Sequence, residues 1–192
     1  MLRRLGAFRP ATIVASPARR CLVLAEAIAA ACGGTLVTDA RLLELDFGAW
    51  EGVAWDDVPR ASLDLWAADL AGFAPPDGES GASLIDRASA AFRSLPQRGR
   101  HVVVSHGGPL RVLAALAAGE PVDLSRPAPA HGSVGFFRRD GRAAAHATAQ
   151  TNGLPESKAG LSLRCHSNDP SGSSEPLAAP PGPAPGPALI KA

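Results

Sequence analysis

The stretch Val102-Val103-Val104-Ser105-His106-Gly107-Gly108-Pro109-Leu110 constrains the fold of this chain more than any other. Three successive β-branched residues suit a parallel strand covered on both faces, and the run stops at a histidine. Gly107 and Gly108 permit a tight turn and close backbone approach, Pro109 suits a first helical turn, and Leu110 to Ala118 read as a helix ended by Gly119. A strand, a glycine turn and a helix mouth make an anion site, because the free amides and positive dipole end face whatever lies beside the imidazole. For a lone histidine the plainer reading is a core residue at a strand end, and the remaining segments shift that balance.

The chain has 192 residues, 46% of them hydrophobic and 19% charged, which describes one globular domain of ordinary kind. Nineteen basic residues nearly cancel eighteen acidic ones and form no stripe, so no nucleic-acid partner is expected. Cys21, Cys32 and Cys165 are too scattered for a disulfide framework or a metal site, in keeping with a reducing cytoplasm. No targeting or membrane-spanning segment is read, and neither a cofactor nor a membrane partner is expected. All nine Phe and Trp residues lie between Phe8 and Phe137, whereas eight prolines follow Leu154 among Gly, Ser and Ala. Residues 1–153 are therefore expected to fold, and residues 154–192 to form a disordered tail.

Within the folded part, Ala11 to Ala15 read as a short strand, and Ser16 as the cap of a helix with Pro17 first and Gly33-Gly34 at its end. Cys21, Leu24, Ala25, Ile28 and Cys32 share its core-facing stripe. Arg19 and Arg20 lie in its first turn, where one can hold an anion bidentately at the rim of the sheet or stay a plain solvated arginine. Thr35 to Thr38 read as the next strand. Arg41 to Gly52 then interleave carboxylates with Leu43, Phe47 and Trp50, and a carboxyl held among such groups has its charged form disfavoured, which suits Glu44 to general-acid work. Loop solvation is the even alternative. Asp46 to Glu79 hold eight acids and one base, Arg60, around Trp50, Trp55, Trp66 and Phe73, so residues 46–79 read as a helical lid. Pro75 to Ser80 read as a turn and cap, Leu84, Ala88, Phe92 and Leu95 as a helix, and Gly132 to Phe137 with Ala143 to Ala149 as a hairpin. His131 and His146 have no metal-ligand spacing and read as structural or exposed.

Four segments in this order resemble the histidine phosphatase superfamily, which includes the phosphoglycerate mutases and the α-ribazole phosphatases. They are Ser16-Pro17 with Arg20, Leu43-Glu44 through Phe47-Gly48 to Trp50-Glu51-Gly52, Gly78-Glu79-Ser80, and Ser105-His106-Gly107. The Phe-Gly-x-Trp-Glu-Gly wording, followed by Trp55-Asp56-Asp57, is most similar to the α-ribazole phosphatase branch of the cobalamin nucleotide-loop pathway. The resemblance implies an α/β three-layer sandwich with a mostly parallel central sheet and the site at the carboxyl ends of its strands. It implies that Glu44 and His106 are catalytic, that Arg20, His106 and Gly107 bind phosphate, and that Trp50, Glu51 and Trp55 set specificity. The implied partner is a small phosphate ester, with no metal.

The family's opening strand, ending Arg-His-Gly with the histidine that attacks phosphorus, has no counterpart here. The fold is accordingly expected to lack its first central strand, leaving Val102 to Ser105 short of one neighbour. The pair Arg100-His101 cannot replace it, since His101 lies roughly 16 Å from His106 along the strand at about 3.3 Å per residue. His166 falls in the tail. The resemblance implies a phosphatase that hydrolyses a small, α-ribazole phosphate-like monoester through a phosphohistidine, with the chain as written expected to be inactive for want of that histidine; a non-catalytic phosphate- or partner-binding module (a pseudophosphatase) and a mutase-like phosphotransferase are the alternatives. A serine hydrolase is set aside, because no G-x-S-x-G elbow occurs.

Overall fold

The computed structural model describes residue 5, residues 8–137 and residues 188–191. Its strands are β1 (Thr12–Ala15), β2 (Thr35–Thr38), β3 (His101–Ser105), β4 (Val134–Phe136) and β5 (Ala188–Lys191), and its longer helices are α1 (Arg19–Cys32), α2 (Arg60–Ala68), α3 (Gly81–Ser94) and α4 (Gly107–Ala118). The sheet runs β2-β1-β3-β5-β4, with every pairing parallel except that of β4 with β5. All five residues of β3 are buried, as expected of a β-branched strand covered on both faces.

Alternation along the strands splits the core into two layers. Ile13, Ala15, Val102, Val104 and Ile190 face α1 and meet Cys21, Ala25, Ile28 and Cys32 there. Val14, Val103 and Leu189 face the opposite way, onto Leu84-side helix α3 and α4, through Ala88, Phe92, Leu110 and Leu113. This is the three-layer α/β sandwich expected from the sequence. Leu24, placed on the stripe by its spacing, is only partly buried.

Three expectations change. The first helix begins at Arg19 with Ala18 at its cap, two residues beyond the position read for Pro17; the Ser16 hydroxyl meets His106 Nε2 at 2.8 Å and accepts Ala18 N–H at 3.4 Å rather than capping the helix. The tail reading fails at its far end, since Ala188–Lys191 is a strand whose Leu189 and Ile190 are buried; residues 154–187 lie outside the described residues. In consequence β3 does not lack a neighbour: it pairs with β1 on one side and with β5 on the other. The four-residue strand Ala188–Lys191 supplies the ladders to β3 and to β4, which composition averaged over the Pro-rich stretch concealed. The hairpin partner read at 143–149 lies outside the described residues, and the partner seen for β4 is β5.

The segment 46–79 is helical in pieces, with single turns at Gly48–Trp50 and Trp55–Asp57 and then α2. It is tied to the turn before α3. Gly48 has φ +52°, and a Cβ there would collide with the backbone of Pro76 and Gly78. Ala49 N–H donates to Pro76 O at 2.9 Å, and Glu79 N–H to Asp46 O at 2.8 Å. Ser80 caps α3 as expected, its Oγ accepting Ser83 N–H at 3.2 Å. Among the described residues, no helix is long and apolar enough to cross a membrane.

Candidate active site

His106 ends β3 and caps α4, and only 3% of it is exposed. Arg20 Nη2 lies 2.7 Å from His106 Nδ1. A guanidinium only donates, so Nδ1 is the bare nitrogen, and Nε2 carries the proton and donates it to Ser16 Oγ at 2.8 Å. Burial, and then the Arg20 charge, hold the His106 pKa below its ordinary 6.5 against the opposing pull of Glu44, so the ring is neutral at neutral pH. Cys21 Sγ lies 3.5 Å from Nε2, and burial pushes its thiol above the ordinary 9.0, although the Ser16 hydrogen bond and Arg20 oppose this. The sequence pairing of Arg20 with His106 is thus realised, with Ser16 as an additional partner.

Glu44 meets the mouth of α4. Its Oε1 accepts Gly108 N–H at 3.0 Å and Leu45 N–H at 3.1 Å. A Cβ on Gly108 would collide with that oxygen, so only glycine lets the carboxyl approach. The Gly108 amide that the sequence offered to a phosphate is therefore used by the chain's own carboxylate, which gains the same orphan donor and dipole end. Gly107 lies beside Lys191, whose Nζ is 3.3 Å from the position a Gly107 Cβ would take.

The loop carrying Glu44 is braced by Arg87 on α3, which the sequence reading missed. Its Nε and Nη2 donate to Glu79 Oε1 and Oε2 at 2.6 and 2.7 Å. The same guanidinium donates to the carbonyls of Arg41 at 2.9 Å, Leu43 at 2.6 Å and Glu44 at 3.0 Å. Ser105 Oγ adds a bond to Leu42 O at 2.6 Å. Glu79, the acid of the Gly-Glu-Ser turn, thus acts through Arg87 on the backbone of Glu44. An arginine seven residues past a helix cap, at the edge of an apolar stripe, was the available signal.

A cavity of about 250 Å³ opens beside Glu44, with Gly107, Gly108, Arg111 and Lys191 on its polar side and Phe47 and Trp66 on its aromatic side. Arg20 and His106 do not line it. Nor do Trp50, Glu51 and Trp55, the residues expected to set specificity. Trp50 is buried, stacked on Phe73 at 5.8 Å, and Trp55 stacks behind Trp66 at 5.8 Å, while Glu51 Oε1 accepts Phe47 N–H at 3.0 Å. The aromatic cluster turns its own rings on one another and presents Trp66 and Phe47 to the cavity. His101 lies at the far end of β3 with Nε2 on Arg98 O at 2.9 Å, and His131 is exposed, as read; His146 and His166 lie outside the described residues. Among the described residues no cluster could hold a metal ion.

The chain is thus an α/β protein with a mostly parallel sheet, an arginine and a histidine at the sheet's carboxyl edge, and a carboxylate on the adjoining helix mouth. The model of the histidine phosphatase superfamily (branch 1) matches residues 1–149, and the chain belongs to that family. It is 40% identical over 121 residues to a probable phosphoglycerate mutase of Citrobacter koseri, covering 59% of this chain and 56% of the relative. The chain thus spans a little over half the length of that relative. Among solved structures it is similar to Bacillus stearothermophilus YhfR, with 30% identity, a TM-score of 0.58 and coverage of 66% of this chain and 67% of that one. An α-ribazole phosphatase from Shigella flexneri, at 24% identity, a TM-score of 0.56 and 63% coverage of both chains, shares the fold.

Proposed function

We propose that the chain handles a small phosphate monoester in the manner of a histidine-type phosphatase. The observation that carries this reading is the 2.7 Å contact of Arg20 with a neutral, buried His106 at the carboxyl edge of β3. Arg20 has N–H groups left to grip phosphoryl oxygens, and His106 holds that guanidinium in place through Nδ1, its Nε2–H reaching a phosphoryl group only by leaving the Ser16 hydroxyl. In a chain that also carries the attacking histidine, Glu44, at the cavity, would give a proton to the leaving oxygen and take one from the attacking water. The leaving group packs on Phe47 and Trp66, and the α-ribazole phosphate-like ester implied by the resemblance is of this kind. Attack on phosphorus belongs to a histidine in an Arg-His-Gly triplet, which these 192 residues do not contain. Residues 1–192 therefore bind the ester without hydrolysing it.

Titration with ethyl phosphate tests the binding half. Arg20→Gln should weaken binding by on the order of tenfold or more, the loss of a charge-assisted bond. An unchanged affinity refutes the role of Arg20. An assay with p-nitrophenyl phosphate should show no turnover above buffer, and turnover abolished by His106→Ala would mean that another group attacks phosphorus.

A further inference from the structure

The cavity beside Glu44 holds two cations that the phosphoryl site does not use. Arg111 lies one turn into α4 from Gly107, and its Nε is buried without a hydrogen-bond partner. Lys191 ends β5 opposite Ser105, which brings its Nζ to 3.3 Å from the position a Gly107 Cβ would take. Among the described residues neither cation forms an ion pair. Asp123, the acid that feels the Arg111 charge, is held chiefly by Ser125 and paired with Arg126. An arginine donor withdrawn from water and left unpaired is costly, and a second cation in the same cavity adds repulsion that an anion would relieve. Glu44 is the one carboxylate lining this cavity, and its Oε1 accepts Gly108 and Leu45 N–H; none of the eight acids of the lid lines it, so two cations face a single carboxylate.

We propose that Arg111 and Lys191 form an oxyanion subsite in this cavity, which takes a carboxylate or second phosphate carried by the leaving group of the ester. The proposal rests on the phosphomonoester reading and narrows it: the substrate bears two anionic groups, one at Arg20 and His106 and one at Arg111 and Lys191. An α-ribazole phosphate-like ester has only the first, so the subsite replaces it with a doubly anionic ester while keeping the phosphomonoester reading. Electrostatic recognition here depends on β5, because Lys191 reaches the cavity only when Ala188–Lys191 occupies its place between β3 and β4.

The test compares binding of 2-phosphoglycolate and ethyl phosphate, which are similar in size and differ in the carboxylate. The wild-type chain should bind phosphoglycolate at least about tenfold more tightly, the worth of one charge-assisted contact. Lys191→Gln and Arg111→Gln should each pull this ratio toward one, and Lys191→Arg should keep most of it. Arg20→Gln should weaken both esters and leave the ratio standing. Equal wild-type affinities, or a ratio that survives both glutamine substitutions, overturn the subsite while leaving the phosphomonoester reading intact. Failure of the wild type to bind either ester overturns both.

Discussion

Replacing Ile190 by Ala tests the placement of β5. Ile190 is fully buried, pairs with Val104 on one side and with Val134 on the other, and packs in the cluster of Ile13, Val102 and Val104. Truncating a buried isoleucine removes its transfer free energy and leaves a cavity, together worth about 2–5 kcal/mol. A position between two ladders cannot collapse easily, so the upper half of that range applies. A small domain has only about 5–15 kcal/mol of net stability, and the change is large on that scale. Leu189→Ala, on the opposite face against α3 and α4, should cost a similar amount. Urea unfolding at unchanged slope gives both values. Substitutions in a disordered tail fall within about 0.5 kcal/mol of wild type, so two near-neutral results would remove β5 from the sheet and Lys191 from the cavity.

Arg87→Ala should cost about 2–4 kcal/mol in the same assay, below the range for a fully buried pair because Arg87 and Glu79 keep side-chain exposures of 21% and 17%. Glu79→Gln on top of it should cost little more, whereas additive losses would mean that the two residues act separately. The depressed pKa of His106 means that the unfolded chain binds more protons below the ordinary 6.5, so stability rises with pH through that window and is lost as pH falls below it. His106→Gln should flatten this dependence of the urea midpoint between about pH 5 and 7, and an unchanged slope would assign it to another group.

Much of the site was legible because its parts are local in sequence. A valine run followed by Ser-His-Gly-Gly-Pro dictates a buried strand, a turn and a helix mouth whatever surrounds them, and β3, His106 and α4 follow that pattern. The Ser80 cap and the apolar stripe of α3 were readable for the same reason, as was Arg20 in the first turn of α1. Contacts that join distant segments were decided by the tertiary structure alone. Spacing cannot show that Glu44 fills the amide of Gly108, that Arg87 spans Glu79 and three carbonyls, or that Trp66, with Trp55 stacked behind it, reaches the cavity. The strand Ala188–Lys191 is the extreme case. Four residues after a proline-rich stretch carry too little local preference to declare a strand, and they become one because β3 and β4 offer unpaired backbone and an apolar slot for Leu189 and Ile190.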